Sequence, residues 1–176
     1  MCISVETKKQ CEESSMKIRQ ARLQEISEIM KIYDTARKFM KEHGNPTQWK
    51  TGYPSKELVE RDCNNGWLYV CEEQDELAGV FMFYKIPEPN YEKIYDGQWL
   101  NEDAYGTMHR MASSGKVKGI ASFCLEWCFK QCKNLKGDTH EDNYVMQSVF
   151  EKNGFQKCGI IHVEDGTPRI AYQRVE

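Results

Sequence analysis

The stretch from Gly106 to Cys132 changes its hydrophobic period partway along, and this change constrains the fold more than any other feature of the chain. GTMHRMA reads as a strand, with Tyr105, Thr107, His109 and Met111 on one face and Met108, Arg110 and Ala112 on the other. SSGKVKG is small, basic and broken by two glycines. IASFCLEWC is apolar at helical spacing, with Ile120, Ala121, Cys124, Leu125 and Cys128 on one face. A strand that runs into so apolar a helix, with a further short strand near Thr139, needs a sheet for that helix to cover. The helix also begins oddly. Gly119 disfavours helix and Ala121 leaves the first turn bare, so unpaired N–H groups and the positive end of the helix dipole face outward, where anions bind. Lys116 and Lys118 add positive charge there.

The remaining elements follow from period and punctuation. MKIRQA opens a first strand at Met16. Ile26, Ile29, Met30, Tyr33, Ala36 and Met40 mark a helix from Leu23 to Glu42, ended by Gly44-Asn45-Pro46. Ser55 caps a short second helix through about Cys63. Trp67 to Cys71 and Leu77 to Tyr84 are strands joined by the acidic turn EEQDE, and Pro87 to Trp99 is a long loop. Asn143 to Lys152 is a helix closed by Asn153-Gly154, and strands over Phe155 to Val163 and Arg169 to Val175 flank an Asp165-Gly166 turn. The order predicts one α/β domain over residues 16–176, preceded by a flexible tail over residues 1–15.

Composition excludes several classes. A formal net charge of −3 over 176 residues disfavours a nucleic-acid partner. No apolar run reaches the ~18 residues of a membrane span, and the first fifteen residues lack the apolar core of a signal peptide, so a cytoplasmic location is expected. The eight cysteines are therefore read as reduced thiols. Cys124, Cys128 and Cys132 form a stripe along one helical face; zinc would suit thiolates, but no fourth ligand is near in sequence, and packing against a sheet explains them, so no metal is expected.

The junction and the helix near residue 150 together resemble the GNAT superfamily of acetyl-CoA-dependent N-acetyltransferases. The family's pyrophosphate loop reads Gln or Arg, two residues, Gly, any residue, then Gly or Ala. Here Lys116 stands at the first position, while Gly119 and Ala121 match. Asn143, Met146, Glu151, Lys152, Gly154 and Phe155 fall at the spacings of the family's next helix. The resemblance covers roughly residues 16 to 175. It implies a central mixed, mostly antiparallel sheet with splayed central strands and about four helices. It also implies acetyl-CoA as co-substrate. The pyrophosphate would bind backbone N–H groups of Lys116, Val117, Lys118, Gly119, Ile120, Ala121 and Ser122, and the pantetheine arm would run along the preceding strand near Met111. Phe150 and Lys152 on the later helix are further cofactor candidates. Asn143 carries over as a side chain touching the arm, although an N-cap role is an equally good local reading.

Acetyl transfer to an amine needs a base, a polarised carbonyl and a leaving thiolate. Relatives place a Glu or His base at offsets held here by Tyr105 and Thr107. His109, two residues on, has suitable chemistry, with His140 and Glu72 as alternatives and structural packing as the competing role. The tyrosine that protonates the thiolate in the family is replaced by Phe150, so Tyr144 or Tyr105 would substitute, or the thiolate would leave unassisted. Trp49, Tyr53, Tyr84, Tyr91, Tyr95 and Trp99 are available to line an acceptor pocket, two or three of them facing the substrate, with Glu92, Asp96, Glu102 and Asp103 as an acidic setting for a cationic acceptor. The expected acceptor is a primary amine of a small molecule or peptide. The alternative is a catalytically weak CoA-binding sensor or interaction module, and a second copy of the chain is an admissible partner.

Overall fold

Seven strands, β1 (Lys17–Gln20), β2 (Leu68–Glu73), β3 (Glu76–Tyr84), β4 (Gly106–Ser113), β5 (Asn134–Thr139), β6 (Gln156–His162) and β7 (Pro168–Val175), form one sheet in the order β1-β2-β3-β4-β5-β7-β6. The computed structural model describes residues 15–176, so the expected tail lies outside the described residues apart from Ser15. Every neighbouring pair is antiparallel except β4 with β5. A parallel pair requires a crossover, and the apolar helix α3 (Ile120–Cys132) provides it.

Helices α1 (Ile26–Glu42) and α2 (Lys56–Asn64) cover one face of the sheet; α3 and α4 (Tyr144–Lys152) cover the other. The apolar stripe of α1, with Ile29 and Tyr33 fully buried, packs on Val70, Val80 and Ala112. Truncating Ile29 to Ala there would cost about 2–5 kcal/mol. Ser55 caps α2 by accepting the Leu58 amide at 3.2 Å. On the opposite face Cys124, Leu125, Cys128 and Phe129 are buried against β2 to β5, so the cysteine stripe is core packing. Among the described residues no group of three or more His, Cys, Asp or Glu side chains is placed to hold a metal ion.

Two irregularities in β4 shape the middle of the sheet. First, β4 pairs with β5 only at Gly106↔Leu135 and Thr107↔Lys136; beyond Thr107 it keeps β3 alone, while β5 keeps β7 through Thr139. The two strands part there and leave an open wedge. Second, the β3 register slips so that Val80 faces Ala112 while Met82 faces His109. Arg110 and Met111 thus oppose the single residue Phe81, a bulge in which Arg110 takes φ 50.

The bulge overturns the strict alternation expected along this strand. Met108 and Met111 both pack on the α3 side, while Ala112 joins the α1 cluster. Arg110 reaches Asp62 of α2 at 2.5 Å, on the side opposite to that shared by Met108 and Met111. The extra residue is held by Tyr33, whose hydroxyl donates to the Arg110 carbonyl at 3.1 Å.

Candidate active site

At the start of α3, Gly119 is the N-cap with φ 80, a left-handed conformation that glycine adopts without a steric penalty. A Cβ at this position would meet nothing within 4 Å, so the backbone is open to a ligand. The first helical hydrogen bond runs from the Phe123 amide to the Gly119 carbonyl at 3.0 Å. The amides of Ile120, Ala121 and Ser122 precede that ladder and are donors without an i−4 acceptor. Upstream, the Ser113 and Ser114 hydroxyls accept the Gly115 and Lys116 amides at 3.1 and 3.3 Å. The Lys116 amide is therefore already engaged, and the bare donors begin after it. The Lys116 ammonium lies 3.6 Å from Glu76, both side chains being largely exposed. The Ser122 hydroxyl accepts the Asn153 side-chain amide at 2.8 Å, which ties the start of α3 to the end of α4.

A cleft of about 1220 Å³ runs from Gly115 and Ala121 along Met111, through the wedge between β4 and β5, to His109 and the α1–α2 side. Asn143 borders it and does two things: its Oδ1 accepts the Met146 amide at 3.0 Å as the cap of α4, and its Nδ2 donates to Gln48 at 2.9 Å. Phe150 is 1% exposed, stacked on Tyr172, and its ring lies against β5 where a Cβ at Gly137 would fall 2.8 Å from it. It forms part of the cleft floor and brings no hydroxyl. Lys152 is exposed in the last turn of α4 and does not line the cleft.

His109 stands where the wedge opens. Its Nε2 is 2.8 Å from Glu88 Oε2 and its Nδ1 is 3.9 Å from Asp138 Oδ2. Glu88 also accepts the Tyr84 hydroxyl and the Asn90 amide, and Asp138 accepts the Tyr91 hydroxyl at 2.6 Å. Burial pushes the Glu88 carboxyl up, but its contacts with His109, then Tyr84 and Asn90, outweigh this and hold it at about 2. Burial, then the Glu88 contact, raises the Tyr84 hydroxyl well above the usual phenol range. Tyr91 is raised for the same reason, by burial and Asp138. The two tyrosines therefore act as donors to carboxylates and hold them in place.

Several expectations change here. Tyr105 does not line the cleft: its hydroxyl accepts the Glu88 amide at 2.9 Å, and its ring lies 3.9 Å from the Lys136 ammonium, so it supports the carboxylate from behind. Tyr144 is 69% exposed and also outside. Glu72 is bound to Arg19 on the far side of the sheet, and His140 accepts the Asp142 amide in the turn before α4. Of the six aromatic candidates, Trp49, Tyr53 and Tyr84 line the cleft, while Tyr91 and Trp99 pack behind it and Tyr95 meets His162 edge to face. None of the acidic residues Glu92, Asp96, Glu102 and Asp103 borders the cleft. The carboxylates that face His109 are Glu88 and Asp138, neither of which sequence reasoning singled out. Glu88 carried one usable signal, an acidic residue set between Pro87 and Pro89 in the loop that leads toward β4.

The geometry agrees with comparisons to known proteins. The model of the acetyltransferase (GNAT) family matches residues 26–155. No curated protein matches the chain. A GNAT-family acetyltransferase from Streptococcus agalactiae superposes with a TM-score of 0.84 at 33% identity, over 92% of this chain and 95% of that one. GNAT-family structures from Listeria monocytogenes (TM-score 0.66, 21% identity, 90% and 94% covered) and Bacillus cereus (0.60, 17%, 92% and 97%) share the fold. The family match spans the splayed strands, the bare helix start and the helix that follows, and the chain belongs to the GNAT acetyltransferase family.

Proposed function

We propose that this chain transfers the acetyl group of acetyl-CoA to a primary amine of a small molecule or peptide, by direct attack within a ternary complex. One observation carries the reading: a single cleft runs from the first turn of α3, at Ala121, to His109 through the wedge between β4 and β5. The residues suit the co-substrate. The amides of Val117, Lys118, Gly119, Ile120, Ala121 and Ser122 would hold the pyrophosphate, with the open approach at Gly119. The edge of β4 near Met111, free of β5, would take the pantetheine amides.

In the step itself the amine nitrogen forms a bond to the thioester carbonyl carbon, the carbon–sulfur bond breaks, and the amine's proton passes to His109, directly or through a water. Glu88 holds the imidazole by Nε2 and stabilises the imidazolium that forms. A backbone N–H at the bulge, from Arg110 or Met111, takes the developing charge on the carbonyl oxygen. With Phe150 at the floor, the thiolate leaves without a tyrosine at that position, which a thiol pKa near ~8.5 permits.

The buried Phe150 is also the one observation favouring the alternative, a CoA-binding module with weak catalysis. Both readings meet the same experiment. Thiol release from acetyl-CoA is followed over amino acids, polyamines, aminoglycosides and peptide amines, with products identified by mass. Turnover to an acetylated amine is expected. Acetyl-CoA binding with no acetylated product from any amine would replace the enzyme reading with the module.

A further inference from the structure

Arg169 is a cation in the cleft without a counter-ion. It lies near the start of β7, is 8% exposed and borders the cleft. Its Nη1 donates to Thr167 Oγ1 at 3.0 Å and to the Pro168 carbonyl at 2.8 Å. Among the described residues it forms no ion pair, and both of its side-chain hydrogen bonds are made through Nη1, which leaves Nε and Nη2 without a protein acceptor. The neighbouring charges are already spent. Arg110 is matched by Asp62, and Glu88 by His109. Asp165 accepts from Thr167 and pairs with Lys50 at 2.9 Å; Glu164 is exposed at the rim. A guanidinium this far from bulk water is costly unless an anion joins it, and its fork geometry matches a carboxylate.

The sheet register places this cation on the acceptor side of His109. Asp138, 3.9 Å from His109, pairs with Ala171 of β7, and Arg169 is two residues from Ala171 on the same face, about 7 Å along the strand. The Lys50–Asp165–Thr167–Arg169 chain of contacts joins the loop after α1 to the β6–β7 turn beside the guanidinium.

We propose that Arg169 binds a carboxylate of the acceptor, so that the amine acetylated belongs to a small amino acid. The amine lies at His109 and the carboxylate at Arg169. The inference rests on the acetyl-transfer reading of the same cleft.

The test compares each amino acid with the amine that lacks only its carboxylate: glycine with methylamine, leucine with isopentylamine, phenylalanine with phenethylamine, and 4-aminobutanoate with propylamine. Thiol release and product mass are read on the full chain. At least one amino acid should exceed its partner in kcat/KM by about 10- to 100-fold, the worth of a charge-assisted contact. Arg169→Met should collapse that ratio toward one, chiefly through KM, and Arg169→Lys should retain part of it. Amines equal to or better than their amino acids in every pair would overturn the carboxylate site while acetyl transfer stands. That comparison needs only the parent protein, so it decides the matter even if Arg169→Met does not fold. Survival of the ratio in folded Arg169→Met would overturn the assignment to Arg169. Acetyl-CoA bound with no amine acetylated would overturn both readings.

Discussion

On the proposed reading the recognition groups at the α3 end of the cleft would be backbone amides from one short run, residues 117–122, and the nearby lysines stand in water. At the His109 end they are side chains brought from β4, the loop after β3 and β5, and the cations there, Arg110, Lys136 and Arg169, are largely buried. The difference teaches how each end can fail. A backbone site depends on conformation and tolerates changes of side chain; a side-chain site depends on each member and on the strands that align them.

The largest effect should fall at the side-chain end. His109→Gln is expected to lower kcat/KM by about 10²- to 10³-fold and to remove the rising limb of the pH profile, since a general base must be unprotonated to accept the amine's proton. Acetyl-CoA affinity, measured by calorimetry, should change less than about threefold, because the backbone site does not include His109. If the pH limb survives, the base lies elsewhere and the contrast between the two ends is drawn in the wrong place.

Glu88→Gln sharpens the same end through stability. The folded carboxyl, near 2, lies below its unfolded value, so its contribution is complete above about pH 4.5 and is lost as pH falls toward 2. Parent and variant should therefore differ by up to about 3 kcal/mol in urea unfolding near pH 5 and converge near pH 2. A difference that does not shrink on acidification would show that Glu88 acts by packing and not by charge.

At the backbone end, Gly119→Val forces a β-branched residue into φ 80 and tilts the amides that follow. The KM for acetyl-CoA should rise about 10- to 50-fold, alongside a loss of about 1–2 kcal/mol in stability from the left-handed strain. An unchanged KM would mean that the cofactor is held away from this helix start.

Lys136 tests the cost of a buried cation. Its ammonium lies 4.1 Å from the Trp99 ring and 3.9 Å from the Tyr105 ring, and burial lowers it to about 8. Between about pH 8 and 10.5 the unfolded chain holds a proton that the folded chain has released, so stability rises with pH across this window. Lys136→Met should remove that rise and be about 1–2 kcal/mol more stable at pH 7, after the lost ring–cation attraction is subtracted. Thermal unfolding from pH 7 to 10 measures both; a flat parent profile would show that the rings alone satisfy the charge.

The smallest effect belongs to Lys116→Ala. Its ammonium sits beside exposed Glu76, so the acetyl-CoA KM should move less than about threefold in ordinary salt. A tenfold rise would move recognition at this end from backbone to side chains.

Much of the architecture was legible in the sequence because its signals are local. The Ser55 and Asn143 caps, the glycine before α3 and the change of period at residues 106–132 each state a backbone conformation within a few residues. The helix start was legible for the same reason, since a site made of consecutive amides is written in consecutive residues. His109 was legible as an imidazole on the strand before the helix start, but its partners were not. Glu88 and Asp138 are 21 residues before and 29 residues after it, and nothing in either local context announces the contact.

What the sequence by itself determined was thus the element order, the family and the glycine-led start of α3. Only the tertiary structure decided which face each residue of β4 serves. One extra residue at Arg110 breaks the period of two, and its cost is met by the Tyr33 hydroxyl and Asp62, which come from other elements. It also decided which tyrosines support carboxylates, which aromatics line the cleft and that the buried Arg169 forms no ion pair among the described residues. Those outcomes depend on strand register and on which side chains share a buried volume. Such pairings join residues far apart in the chain, and a periodicity, which couples only near neighbours, cannot express them.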